Sequence, residues 1–457
     1  MPPAVEATSH TPTSRGRLLQ ILGVGFGLAV IIGNTIGAGI LRTPGEVAGH
    51  LPIVWMFIGV WIMGGLYALL GSFSIAELGT MIPRSGGQYV FAHYALGDYA
   101  GFVVGWSDWV STCGTSAAIS VVIGEYLGVL FPSLAGKTVA IAFVIVIAFA
   151  VIQWRGIRWG SGVQNITSLA KALAFVALVI ACFAMGGRHQ ATTQAAEAAP
   201  LAVPSLIGFV LALQAVIYTY DGWTGVIYFS EEVRNPKRDI PRSIFGGVLS
   251  IIAIYLLVNF ALLYVLPISQ IAGANLAMGA AAQVIFGQQG DTIIRSLTII
   301  SMSSAINACQ LMATRVLFAM SRDGLVSSRA VKVNEGGTPT AALFASTVVA
   351  ALFIFGGSFE KSHKIFENII AVLAFFFVVN YAVSFLSLFV LRRREPDRQR
   401  PYRAWGYPWT TGVSLLGSIA FLGGAVASDT RNSIYALLLL AASYPAFRLS
   451  KWLAERQ

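Results

Sequence analysis

Two short segments interrupt the apolar runs of this chain with groups that can hold ions. Gly33-Asn34-Thr35-Ile36-Gly37-Ala38-Gly39-Ile40 sets glycines on both sides of an alanine, and each glycine weakens a helix by about 1 kcal/mol relative to alanine. Tyr218-Thr219-Tyr220-Asp221-Gly222-Trp223 sets a carboxylate and a glycine inside a second apolar run. A helix broken there leaves unpaired N–H groups on one half and unpaired carbonyls on the other. Together they can hold a carboxylate and an ammonium, the two charges of an α-amino acid. Glycine also permits close helix packing in membranes, but paired interruptions at corresponding places in two halves point to a binding site. Two more charges stand inside apolar runs: Lys171 in Leu169-Ala170-Lys171-Ala172-Leu173, and Asp108 between Trp106 and Trp109. A charge at mid-bilayer costs several kcal/mol unless partnered, so both are functional candidates. Asp108 can line a cavity, carry a proton or pair with an arginine. Asp221 can meet a bound solute or cap the broken helix.

The elements that position these residues follow from composition. Of 457 residues, 56% are hydrophobic and 11% charged, whereas globular domains carry about 25% charged residues. The apolar residues form blocks such as Ile53 to Ile75 and Ile251 to Leu266, near the roughly 20 residues that span a bilayer as a helix. These blocks are apolar on every face, unlike the alternating strands of an outer-membrane barrel. The chain therefore reads as an all-α integral membrane protein. Twelve transmembrane helices are expected near 18–49, 53–78, 101–131, 137–154, 160–186, 204–232, 243–266, 291–320, 339–357, 366–391, 409–428 and 432–449. Residues 1–17 read as a disordered cytoplasmic tail without a cleavable leader.

Charge tests that topology. With both termini on one side, 21 of the 30 Lys and Arg residues fall in segments on that side, five on the other and four within spans. This is the positive-inside asymmetry, and it places both termini in the cytoplasm and the chain in the inner (plasma) membrane. It also accounts for the net charge of +10 without a nucleic-acid surface. Cys113, Cys182 and Cys309 lie in apolar runs and make an odd count, which disfavours a disulfide framework. His10, His50, His93, His189 and His363 are scattered without metal-ligand spacing, so no metal or cofactor is expected. Tyr220-Asp221 lacks a partner carboxylate at the spacing of an intramembrane protease, and no nucleophile-base pair is present. No repeated filter sequence marks a channel.

Five ordered motifs carry a family resemblance. Ala76-Glu77-Leu78-Gly79-Thr80-Met81-Ile82-Pro83-Arg84-Ser85-Gly86-Gly87-Gln88-Tyr89 resembles the signature after the second helix of amino acid-polyamine-organocation (APC) superfamily permeases. Ile36-Gly37-Ala38-Gly39-Ile40, Phe229-Ser230-Glu231-Glu232-Val233-Arg234-Asn235-Pro236 with Arg238-Asp239-Ile240-Pro241, and Arg315-Val316-Leu317-Phe318-Ala319-Met320-Ser321-Arg322-Asp323-Gly324 agree with it in order. Arg400-Pro401-Tyr402-Arg403 with Gly406-Tyr407-Pro408 is similar to a motif of the L-type amino acid transporter branch. The resemblance implies a five-plus-five inverted repeat with discontinuous helices 1 and 6: residues 18–186 as the first repeat, 204–391 as the second, and 409–457 outside them with a cytoplasmic C-terminus.

It further implies that the amides of Ala38, Gly39 and Ile40, beside Gly37, bind a substrate carboxylate while the carbonyls of Thr35 and Ile36 face its ammonium. Tyr218 matches an aromatic gate, next to Asp221 and Gly222; a core or interface tyrosine is the plain alternative. Asp221 departs from the small residue usual in the L-type branch and leaves the side-chain preference open. Lys171 matches a lysine that replaces Na⁺ between helices 1, 5 and 8, whereas a snorkelling lysine is the plain alternative. The expected activity is sodium-independent transport of small or medium neutral amino acids by proton-coupled symport or exchange, with Lys171 and Asp108 as coupling residues. Cationic amino acids or polyamines are the second substrate class. The expected partners are the substrate, protons and the lipid bilayer, with no obligate protein partner. Glu77, Glu231 and Glu232 are expected in cytoplasmic ion pairs with Arg84, Arg315 or Arg322, and Arg42 in a similar pair on the outer side.

Overall fold

The computed structural model describes residues 18–186, 205–358 and 364–454. The expected tail 1–17 lies outside them. The α-helices, in chain order, are α1 (Val24–Thr35), α2 (Gly39–His50), α3 (Val54–Met81), α4 (Gln88–Leu96), α5 (Asp98–Leu130), α6 (Thr138–Trp154), α7 (Ile157–Met185), α8 (Leu206–Tyr220), α9 (Pro236–Val265), α10 (Ile268–Ile271), α11 (Ala277–Phe286), α12 (Gly290–Arg322), α13 (Thr340–Ser358), α14 (Lys364–Arg394), α15 (Trp409–Ser428) and α16 (Thr430–Ala454). Among the described residues the only β pairing is two isolated bridges. A helical segment stands at each expected span. Ten are long and apolar enough to cross a bilayer, the bent pair α1 and α2 makes an eleventh, and α6, with 17 residues, is a shorter apolar helix at the fourth position.

The first expected span begins later than its apolar run suggests. Leu18 to Gly23 is not helical. Instead, the Leu22 amide donates to Glu232 O at 2.8 Å and Leu22 O accepts from the Arg234 amide at 2.8 Å. This extended segment holds α1 to the end of the sixth span, because a backbone outside a helix must find its bonds elsewhere.

Both interruptions are real breaks. α1 stops at Thr35, where Ile36 is extended (φ −77°, ψ 97°), and α2 restarts at Gly39 after a bend of 46°. α8 stops at Tyr220, where Asp221 is extended (φ −56°, ψ 150°), and a short 3₁₀ segment, Gly225–Phe229, follows. Gly222 has φ 106°, a backbone region that favours glycine. A Cβ at Gly222 would lie 2.7 Å from Asn34 Nδ2 and 2.9 Å from Thr35 Oγ1. Glycine is thus required both by conformation and by the close approach of the two breaks. α7, α9 and α12 flank α1, while α2 and α3 pack beside α8 and α3 packs on α9. The core gathers residues of these helices, among them Val30, Trp61, Phe175, Tyr220, Tyr255 and Val316.

Candidate binding site

The two breaks face one cavity of about 140 Å³. The first supplies Asn34, Thr35 and Gly39; the second supplies Tyr218, Thr219, Asp221, Gly222 and Thr224. Gln88, Thr112, Thr115, Tyr228, Cys309, Met312 and Tyr381 complete most of the wall. Of the residues singled out in sequence, Thr35, Gly39, Tyr218, Asp221 and Gly222 line the cavity, whereas Ile36, Gly37, Ala38 and Ile40 are not among its lining residues. The amides of Gly39 and Ile40 nonetheless head α2, where a helix's first N–H groups have no partner within it.

Lys171 lies behind the cavity at 1% exposure, so it is not a lipid-facing, snorkelling lysine. Its Nζ donates to Gly33 O at 2.7 Å and to Ile36 O at 2.5 Å. Ser301 of α12 donates to the same Ile36 O at 2.8 Å. The ammonium therefore bonds α7 to the first break, and α12 joins through a shared carbonyl. Below it, Ser168 donates to Ala29 O at 2.7 Å and contacts Ser304 Oγ at 2.8 Å. Gly33 leaves room for this network, since a Cβ there would stand 2.0 Å from Gln164 Nε2.

The carbonyls expected to face an ammonium are already engaged. Ile36 O holds two donors. Thr35 O accepts from Tyr255 Oη at 2.8 Å, and the same hydroxyl lies 2.9 Å from Thr219 O, joining the two breaks. Orphan carbonyls in a water-free interior take the nearest protein donors, which spacing along the chain does not reveal.

Asp108 is buried and pairs with no arginine among the described residues. The Tyr228 hydroxyl stands 2.9 Å from each of its carboxylate oxygens, and Thr112 Oγ1 is 3.5 Å from one. Asp221 accepts from the Tyr381 hydroxyl of α14, whose ring stacks on Trp223 at 5.2 Å. Both carboxylates are thus tied to phenols that line the cavity. Tyr218, 36% exposed, lines this cavity and also a second one of about 310 Å³ bounded by Thr43, Glu46, Gln214, Phe421 and Asp429.

The opposite end of the bundle, which carries the basic loops, is closed by direct ion pairs. Arg315 meets Glu232 through Nε at 3.0 Å and Nη2 at 2.9 Å, both side chains fully buried. Arg322 meets Glu231 at 2.5 Å, and Arg84 meets Asp323 at 2.7 Å. Glu77 corrects the expected pairing: its partners are Arg392 at 2.7 Å and Arg400 at 3.1 Å, with the Ala404 amide at 2.6 Å. Glu77 faces the 400–404 segment, so a distant motif supplies its cations. Arg42 is exposed and makes no ion pair among the described residues.

Sequence reading missed Asn34, Gln88, Thr112, Thr115, Tyr228, Cys309 and Tyr381 as cavity residues. Gln88 sits within a quoted motif and Tyr228 just after the second break, both usable signals. A lone phenol such as Tyr381 in a Phe-rich span gives none.

Comparison with known proteins agrees with this architecture. The pattern of the amino acid permease family matches residues 27–443. The serine/threonine exchanger SteT of Bacillus subtilis is 28% identical over 444 residues, covering 95% of this chain and 98% of that one. The b(0,+)-type amino acid transporter 1 of Homo sapiens is 26% identical over 439 residues, covering 93% of this chain and 86% of its own length. The Asc-type amino acid transporter 1 of Mus musculus is 27% identical over 422 residues, covering 90% and 76%.

Proposed function

We propose that this chain, which belongs to the amino acid permease family, is a sodium-independent carrier of small or medium neutral L-amino acids. The observation that carries the reading is the convergence of two broken spans on one cavity, with Lys171 bonded to the carbonyls of the first break. The relatives are amino acid transporters and exchangers rather than enzymes or channels. The start of α2 offers amides and a positive dipole end to a carboxylate. A space of about 140 Å³ favours a small solute. The Lys171 ammonium supplies the positive charge that would otherwise come from Na⁺.

Alternating access follows from where the mobile parts meet. Closure of α2, α8 and Tyr218 seals one side; release of the ion pairs around Glu232, Glu231 and Glu77 lets α1 and Gly225–Phe229 swing on the other. The basic end is then cytoplasmic, with both termini there and the chain in the plasma membrane. Residues 18–186 and 204–391 are the two inverted repeats. Exchange or proton-coupled symport both fit, with Asp108, Tyr228 and Lys171 as the proton-handling groups. Cationic amino acids or polyamines are the second substrate class, favoured by the Asp221 carboxylate on the cavity wall.

Purified protein in proteoliposomes tests this directly. Radiolabelled amino acid uptake should continue when choline replaces Na⁺, and external unlabelled substrate should drive counterflow. Strict Na⁺ dependence removes the role given to Lys171, and the absence of counterflow removes the carrier reading.

A further inference from the structure

Between α6 and α13 lies a groove of about 520 Å³, larger than the cavity between the two breaks. Ile147, Val151 and Trp154 on one face of α6 line it, with Thr340, Leu343 and Phe344 of α13 opposite. Trp154 closes α6 and Thr340 opens α13, so the groove starts at the basic end. From Trp154 back to Ile147 it runs inward for roughly 10 Å, which keeps it inside one leaflet of a hydrocarbon core about 30 Å thick. α6 itself, at 17 residues, is roughly 25 Å long, so the bilayer must adapt at this flank. The mouth is held by the loop before α13: Asn334 Nδ2 donates to Trp154 O at 2.6 Å, Thr338 Oγ1 to Gln153 O at 2.7 Å, and the Ile157 amide to Gly336 O at 2.9 Å. Cations gather on this frame. Arg155 follows Trp154 and lies 5.8 Å from the Trp159 ring, Arg158 is exposed nearby in sequence, and Lys332 O accepts from the Thr340 amide at 3.3 Å. None of the three forms an ion pair among the described residues. Glu335 is the only acid within 150–160 and 327–345. Exposed Trp154 and Trp159 mark the headgroup level, where indole rings settle.

We propose that this groove is a site for one anionic phospholipid of the leaflet at the basic end. An acyl chain fills the apolar trough between α6 and α13, and the phosphate meets Arg155, Arg158 and Lys332 at its mouth. The charges are complementary and the depth suits a chain that enters from one leaflet. A cationic rim alone attracts any anionic surface; the apolar hollow beneath it selects a lipid. α6 and α13 both pack on α5, which carries Asp108 and supplies Thr112 and Thr115 to the midplane cavity. The bound lipid therefore braces a helix of the cavity wall.

Native mass spectrometry of the purified full chain in detergent, titrated with palmitoyl-oleoyl phosphatidylglycerol or its phosphatidylcholine counterpart, tests the site. Wild type should retain one phosphatidylglycerol in preference to phosphatidylcholine by about tenfold or more. Arg155→Gln combined with Lys332→Gln should weaken phosphatidylglycerol by roughly fivefold per cation removed and leave phosphatidylcholine unchanged. Ala150→Phe puts a ring into the groove while keeping every cation, and it should release the lipid too. Lys237→Gln, which removes an exposed cation at the start of α9, should change nothing. Equal retention of the two lipids by wild type, or equal loss of phosphatidylglycerol in Lys237→Gln, reduces the effect to general surface charge and overturns the site. Full retention in Ala150→Phe overturns it as well. A wild type that forms dimers lost in Ala150→Phe gives the groove to a second copy of this chain, and the lipid site falls.

Discussion

The midplane cavity and the basic end handle charge in opposite ways. At the basic end every buried or half-buried carboxylate described above meets a guanidinium, as Glu232 meets Arg315 and Glu77 meets Arg392 and Arg400. At the midplane, among the described residues, Lys171 donates to carbonyls alone, and Asp108 and Asp221 meet phenols. Opposite charges joined directly form a lock that is costly to open by halves. Charges held by neutral dipoles remain available to a visiting ion or proton. α1 and α12 run from one region to the other, so both are built on the same two helices.

The comparison breaks most sharply at Gly39. A Cβ there would already stand 3.1 Å from Thr219 Cγ2, and Gly39→Val should abolish amino acid binding while membrane insertion and monodispersity persist. Binding of wild-type strength in that variant removes the carboxylate from this place. L-Alanine amide should also compete poorly with L-alanine.

Next in size is Lys171→Ala. The loss of charge-assisted bonds to Gly33 O and Ile36 O, about 1.5–3 kcal/mol each, should reduce uptake by roughly a hundredfold or more at near-normal expression. An unaffected variant makes the midplane charge dispensable and ends the contrast.

Glu232→Gln probes the lock. It leaves the Arg315 guanidinium buried without its counter-charge and should lower stability by about 3–5 kcal/mol, read as a drop in melting temperature of the purified protein. Replacing both residues by Met and Leu should recover much of that stability. A double variant no better than the single one denies that the uncompensated charge is the cause.

The smallest effect belongs to the partly exposed pair of Glu395 and Arg398, 2.7 Å apart. The bond from Arg398 holds the Glu395 carboxyl below the usual carboxylate range. A depressed value in the folded state stabilises above the ordinary carboxylate range and is lost as pH falls through the folded value. Water screens the pair, so Glu395→Gln should change stability by about 0–1 kcal/mol at neutral pH, with no effect on uptake. A large shift in melting temperature makes this loop part of the lock.

The sequence by itself determined the membrane setting, the helical spans, the two breaks and the candidates Lys171, Asp221 and Tyr218. These follow from local causes: apolar blocks long enough to cross lipid, glycine inside them, and isolated charges where charge is expensive. Leu18 to Gly23 shows the limit of that logic, since its apolar residues pair with Glu232 and Arg234 rather than extend α1. Tertiary structure alone decided which donor meets which acceptor. It gave the Ile36 carbonyl to Lys171 and Ser301, gave the Thr35 carbonyl to Tyr255, and turned Glu77 toward Arg392 and Arg400. Backbone polar groups freed by a break must be satisfied in a medium without water, and their partners arrive from helices more than a hundred residues away, beyond the reach of any local pattern.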